Sequence, residues 1–225
     1  MISIIIAGGK IKKNILNSLI KQSLEIKNSE ILLVSEKEHN NENIYNIKLS
    51  KDHGFSKMAM FGALFSQNPY IIFFRNVNNI SSDYIKTTLR QINKNTFAVT
   101  FNSTLYKKLL LNPSGTLFRK DLFFKLGGFS PDIRNTILST IQLSQKIKKN
   151  KIPIIDSKKL IISSNYKKGH LFFYNLDLIK VKLKHSKKRK INIYANIARD
   201  IFIGKKSFFE KSGIIYGITR YGAIK

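Results

Sequence analysis

Arg75, Asn76 and Asn78 follow directly on an apolar run, Tyr70–Phe74 (YIIFF), and offer a guanidinium fork and two carboxamides. A guanidinium can hold a phosphate or carboxylate through two parallel hydrogen bonds, and amides can donate and accept around it. The run before them has the length and composition of a strand buried on both faces, and the polar cluster cannot continue a central strand. Open α/β sheets place their ligand sites at such carboxyl ends. The first place to look for function is therefore Arg75 to Asn79, with Asp83 as the N-cap of a helix starting near Tyr84.

Other residues able to do chemistry stand near predicted turns. Gly8 and Gly9 end the opening run Met1–Ala7 (MISIIIA) and could let backbone amides approach a phosphate, although the surrounding AGGK lacks a full phosphate-loop pattern and equally suits a plain turn. Asp52 and His53 beside Gly54 could contact a nucleotide or ribose, or simply form a capped turn. Glu36 and Glu38 follow a second strand, where a charged loop is the competing reading. There is no cysteine, so disulfides and thiolate metal sites are excluded.

These residues need a frame, and the apolar periodicity supplies one. Met1–Ala7 and Glu30–Val34 read as short buried strands, and Thr96–Phe101 as a further strand. Ile15, Leu16, Leu19 and Ile20 share one helical face. Met58, Phe61, Leu64 and Phe65 define the inner side of a helix that Ser56 would cap. Ile85, Leu89 and Ile92 mark the next helix. The order β-α-β-α-β-α-β predicts an α/β fold, a mostly parallel sheet with helices on both faces. Beyond it, Phe118–Leu126 (FRKDLFFKL) reads as a short helix stopped by Gly127 and Gly128, with Phe129 as the anchor of the following loop. Ile137, Ile141, Leu143 and Ile147 mark another helix, and 152–155 and 160–162 short strands.

The 225 residues suffice for one filled core with an appended segment, and a hydrophobic fraction of 43% excludes general disorder. No apolar run is long enough to span a bilayer, and the first strand lacks the basic flank and cleavage site of a signal peptide, so the expected compartment is the cytoplasm. Forty Lys and Arg against thirteen Asp and Glu leave a net charge of +27. That balance favours anionic partners such as phosphorylated ligands, phospholipid headgroups or nucleic acid, while a compositional bias toward Lys, Asn and Ile explains it equally well.

Taken together, several segments resemble family 2 glycosyltransferases of the GT-A fold. Ser3–Ile6 is similar to the family's opening strand, and NILNSLIKQSL to the helix behind it. Asp52-His53-Gly54-Phe55-Ser56 resembles the family's N-x-G-[FV]-[SA] turn, and Tyr70–Asn78 resembles the strand that carries its DxD motif. Gly115–Pro131 (GTLFRKDLFFKLGGFSP) resembles its late FRRelfekLGGF passage, the most specific of these matches. The resemblance implies a nucleotide-sugar diphosphate at the carboxyl edge of the sheet and an acceptor on the side of Gly127, Gly128 and Phe129. It also implies a divalent metal, Mn or Mg, on the DxD carboxylates and a carboxylate base after GGF.

The departures fall on the chemistry. Arg75-Asn76-Val77 stands at the DxD, Ser139-Thr140 at the acidic pair, Ser35 (beside Glu36) at the nucleotide-binding acid, and Ala59-Met60 at the usual Arg-Asn pair. No metal ligand set is left, so no cofactor is expected. Arg75, helped by Lys57 or Arg119, could hold the diphosphate itself; a solvated loop arginine is the competing reading. Asp132 is the acid nearest GGF and the remaining candidate base, and His170 falls where relatives carry a late histidine. The implied function is a glycosyltransferase-like protein of cell-envelope polysaccharide or lipopolysaccharide synthesis with eroded motifs. The alternatives are an inactive partner subunit beside an active glycosyltransferase, and a basic RNA-associated protein. Nucleic acid is disfavoured because Lys and aromatics follow no RNA-binding motif.

The composition shifts late in the chain, dividing it into residues 1–165, the transferase-like domain, and 166–225, a basic helical tail. Lys180, Lys182, Lys184, Lys187, Lys188, Arg189 and Lys190 crowd one short stretch, followed by apolar residues at helical spacing such as Ile193, Tyr194, Ile197 and Ile201. A polybasic run beside an amphipathic helix suits peripheral contact with an anionic membrane surface, each nearby cation contributing about 1 kcal/mol. A solvated basic helix packed on its own domain is the alternative.

Overall fold

The opening isoleucine run forms a strand whose every residue is buried, because both of its faces are covered. In the computed structural model, which describes residues 1–8, 11–50, 53–93, 95–100, 111–112, 114–133, 136–157 and 162–164, four strands alternate with two helices in the first third of the chain. They are β1 (Ile2–Ala7), α1 (Lys13–Leu24), β2 (Ser29–Ser35), β3 (Tyr45–Lys48), α2 (Phe55–Phe65) and β4 (Tyr70–Phe74). Successive side chains of a strand point to opposite faces. Ile2, Ile4 and Ile6 therefore join one core with Ile15 and Leu19 of α1, while Ile5 and Ala7 join another with Phe55 and Met58 of α2.

Further along come β5 (Val77–Ile80), α3 (Tyr84–Gln91), β6 (Ala98–Thr100), β7 (Leu117–Arg119), α4 (Lys120–Lys125), α5 (Thr136–Lys149), β8 (Ile154–Asp156) and β9 (Ile162–Ser164). The main sheet has seven strands in the order β3-β2-β1-β4-β7-β6-β8. β1 to β4 are mutually parallel and β8 is parallel to β6; β7 runs against both its neighbours. This is the mostly parallel, helix-flanked α/β sheet expected. β5 leaves the main sheet and pairs antiparallel with β9, consistent with the polar break after Phe74.

Several local expectations are revised. The helix read over Phe118–Leu126 begins only at Lys120, because Leu117–Arg119 is drawn into the sheet between β4 and β6 and pairs on both edges. Ser56 does not cap α2: the helix starts at Phe55 after Gly54 (φ +82°), and the Ser56 hydroxyl is buried inside the first turn. Asp83 occupies the N-cap position of α3, but its carboxylate accepts from Thr87 Oγ1 at 2.9 Å. The amide of Ile85 is capped from another helix, by Gln22 Oε1 of α1 at 3.0 Å, and Gln22 Nε2 donates to Ser81 O at 3.0 Å. The buried side of α2 is Phe55, Met58, Ala59, Gly62 and Ala63, with Leu64 and Phe65 more than 60% exposed. Small residues let this helix press onto the sheet, and a Cβ on Gly62 would overlap Ile5 Cγ2.

Phenylalanines fill the second core. Phe73 of β4 touches the rings of Phe118, Phe123 and Phe129 with centroids 5.3–5.9 Å apart, and Phe55 lies 5.0 Å from Phe129.

Candidate functional site at the carboxyl edge of the sheet

From β1 the chain moves outward through β2 and β3, then returns to the other side of β1 as β4. Beyond the carboxyl ends of β1 and β4 lies the topological switch point, where doubly wound sheets bind their ligands. Ile6 of β1 is level with Phe74 of β4, so the residues just past these ends, Gly8 and Arg75, meet there. Gly8 takes a positive φ of 63° and donates its amide to Val34 O at 2.8 Å. Arg75 Nη1 is buried and lies 3.8 Å from where a Cβ on Gly8 would be; the same Cβ would overlap Met58 Sδ in the first turn of α2. Met58 already fills the place that a side chain at position 8 would need.

The backbone of Arg75 is held from below. Its amide donates to Ser114 Oγ at 2.9 Å, and that hydroxyl lies 3.3 Å from Arg75 O, so one side chain does the work of a neighbouring strand. Ser114 N donates to Asn112 Oδ1 at 3.0 Å, Thr116 Oγ1 donates to Asn112 O at 2.7 Å, and Thr100 Oγ1 meets both Thr116 Oγ1 and Asn112 N at 3.0 Å. All four of these residues are buried, and such a network is stable only when its members satisfy one another. Gly115 adds a bond from its amide to Phe73 O at 2.7 Å, and the Tyr84 hydroxyl donates to Gly115 O at 2.8 Å. Burial pushes the Tyr84 phenol well above its ordinary pKa, so it acts as a neutral donor. Nothing in the sequence pattern marks this network beyond the Ser114-Gly115 turn signal.

The other expected residues divide. Asn76, in the left-handed region (φ +52°) that asparagine tolerates, and Asn78 of β5 are half-buried next to Arg75. His53 precedes Gly54 at the start of α2, Lys57 is half-buried in that helix's first turn, and Glu36 is exposed just past the carboxyl end of β2. Asp52 lies outside the described residues, as do His170 and the basic run Lys180–Lys190. Arg119 does not join Arg75: it pairs with Tyr70 at the start of β4. Five residues of strand separate the two arginines, roughly 17 Å. There Arg119 holds Asp121 at 2.8 Å beside an open depression of about 820 Å³ that Tyr70 and Phe124 also line.

The GGF passage is a helix stop. Gly128 N bonds to Phe123 O and Gly127 N to Phe124 O, both at 2.8 Å, with φ of +50° and +76°; this is a Schellman ending that glycine alone adopts without strain. Phe129 is 1% exposed within the aromatic core, so it anchors this turn from inside and offers no surface to an acceptor, while Gly127 remains exposed. Asp132 is exposed in the loop beyond. Ser139 and Thr140 are fully buried in α5, Thr140 Oγ1 donating to Thr136 O at 2.8 Å. No carboxylate occupies that turn.

The residues described around Arg75 do not fit a divalent cation. A guanidinium carries a fixed positive charge and no lone pair for a metal, and no group of three or more His, Asp or Glu able to hold an ion exists among the described residues. Nor, among them, is any helix long and apolar enough to cross a membrane.

The sequence matches no family profile and no curated protein sequence. Solved structures do match. A mannosyltransferase, PcManGT from Pyrobaculum calidifontis, in complex with GDP-Man and Mn2+, superposes with a TM-score of 0.62 at 11% identity, over 100% of this chain and 75% of its own. TarS 1–349 of S. aureus gives 0.62 at 12% identity, over 96% and 78%. GalNAc-T7 with UDP, GalNAc and Mn2+ gives 0.64 at 11% identity, over 99% of this chain and 56% of that one. The fold is that of the GT-A glycosyltransferases.

Proposed function

We propose that the chain is a glycosyltransferase-like protein that binds a nucleotide sugar at the carboxyl edge of its sheet and serves cell-envelope polysaccharide or lipopolysaccharide assembly. The observation that carries this reading is the meeting of Gly8, Arg75 and the first turn of α2 at the switch point between β1 and β4. Two of the similar structures hold GDP-Man, or UDP with GalNAc. In that placement His53, Asn76, Asn78 and Glu36 surround the nucleotide, and the exposed face of Gly127 and the Asp132 loop border the acceptor side. The basic run 180–190 would bring the protein to the inner face of the membrane, where lipid-linked acceptors are presented.

Titration of the full chain with UDP- and GDP-sugars tests the donor site, and absence of binding to all of them would overturn the reading. Deleting residues 180–225 should abolish sedimentation with anionic liposomes, and unchanged sedimentation would refute the membrane role. A second reading, an inactive subunit beside an active transferase, draws on the buried Ser139 and Thr140, which leave no base within α5's first turns. Release of free nucleotide in the presence of an acceptor extract would exclude it.

A further inference from the structure

We infer that the donor site grips a diphosphate without a metal ion, the Arg75 guanidinium standing in for the cation. The inference rests on the nucleotide-sugar reading above and adds to it the chemistry of the grip. Gly8, Arg75 Nη1 and the Met58 side chain of α2 meet within a few ångströms. Arg75 supplies a permanent cation whose donor fork matches phosphate oxygens, and its position is fixed by the Ser114 hydroxyl on its own amide and carbonyl. Gly8, at positive φ and without a side chain, lets Met58 Sδ pack against its backbone beside Arg75 Nη1. The first turn of α2 reaches the same point through Met58. This helix has no side-chain cap and no acidic residue in its first turn, so its amides present uncancelled positive potential. Inside that turn the Ser56 hydroxyl is fully buried and makes no hydrogen bond among the described residues, a donor left for an acceptor that those residues do not provide.

A divalent cation placed here would stand against the guanidinium, and the neutral amides of Asn76, Asn78 and Asn79 would be its only side-chain oxygens from the 75–79 segment. A diphosphate meets the opposite situation at Arg75, whose fixed positive charge attracts it.

The test is calorimetric titration of the full chain with UDP-glucose and GDP-mannose, in EDTA and then in excess manganese, repeated for Arg75→Gln and Arg75→Lys. Affinity of the unsubstituted chain should be the same with either addition. Arg75→Gln should bind roughly 10- to 100-fold more weakly, the loss expected for charge-assisted hydrogen bonds, and Arg75→Lys should recover only part of it, since a lysine has no planar fork. Binding that requires manganese, or a folded Arg75→Gln that binds as tightly as the parent, would overturn the inference and leave the nucleotide-sugar reading standing. No binding of any nucleotide sugar in either condition would overturn both. The EDTA comparison needs no variant, so it decides the matter even if the glutamine substitution unfolds.

Discussion

Replacing Ser114 by alanine should both weaken the fold and slacken the candidate site. The hydroxyl is fully buried and serves both the amide and the carbonyl of Arg75, at 2.9 and 3.3 Å. Each neutral hydrogen bond contributes about 1 kcal/mol net, and stripping the acceptor from an amide adds part of its desolvation cost, so the loss is about 1.5–3 kcal/mol. For a chain of this size that lowers the melting temperature by roughly 3–12 °C. Urea denaturation gives the free energy directly, and nucleotide-sugar titration of the folded variant should show weaker binding although Arg75 is intact. Because Asn112 holds Ser114 through its amide, a double-mutant cycle with Asn112→Ala should show coupling above about 0.5 kcal/mol. A variant within about 0.5 kcal/mol of the parent, with unchanged binding, would refute the idea that this network positions Arg75.

Gln22→Leu should cost about 1–3 kcal/mol, since it strands the Ile85 amide at the start of α3 and removes one of the two hydrogen bonds to Ser81 O; amide exchange at Ile85 should accelerate in step, and unaltered protection would count against the cross-helix cap. Gly62→Val should destabilise by about 2 kcal/mol or more, because its Cβ meets Ile5 where the helix touches β1; a neutral thermal shift would show the contact to be looser than described. The pH dependence of the Arg119–Asp121 pair has a definite sign. Slight burial works to raise the Asp121 pKa, yet the hydrogen bonds and charge of Arg119 leave it below its ordinary value. Any stability that Asp121 adds over Asp121→Asn is therefore fully present above about pH 4 and fades as pH falls through the depressed folded pKa. A gap that instead widens in acid would contradict this, and its size should be small because the pair is exposed.

The parts of the fold that were legible in the sequence are those where one physical demand dominates. β1 and β4 read directly from MISIIIA and YIIFF because burial on both faces requires unbroken apolar runs. The position of Arg75 just past the end of β4 read with them, since a polar cluster cannot continue such a strand. β3 was invisible: four residues on the sheet edge, mostly exposed, carry no periodicity. Phe118 and Arg119 of β7 were misread as helix because FRKDLFFKL suits a short helix, and only pairing with β4 and β6 overrules it. Leu64 and Phe65 fit the helical stripe by spacing, yet Gly62 and Ala63 set which side can approach the sheet. The Thr100–Asn112–Ser114–Thr116 network and the Gln22 clamp join residues far apart in sequence, and buried hydrogen bonds leave no period to find.

Holding a diphosphate and expelling it make different demands. Binding needs positive potential complementary to the ground state, which at the proposed site would come from Arg75 and the α2 amides. Transfer needs stabilisation that grows as charge builds on the leaving oxygen, and a base to take the acceptor's proton. One guanidinium brings a single positive charge where a divalent ion brings two. Meanwhile the hydroxyls of Ser139 and Thr140 sit inside α5, where neither can accept a proton at neutral pH. Asp132 is exposed on the loop after Phe129. The two requirements can therefore separate here: an Arg75-dependent affinity for nucleotide sugars accompanied by turnover that Asp132→Asn leaves unchanged would identify a site that binds without transferring. A drop of about 100-fold or more in transfer by that variant, at unaltered donor affinity, would instead place the base on this loop.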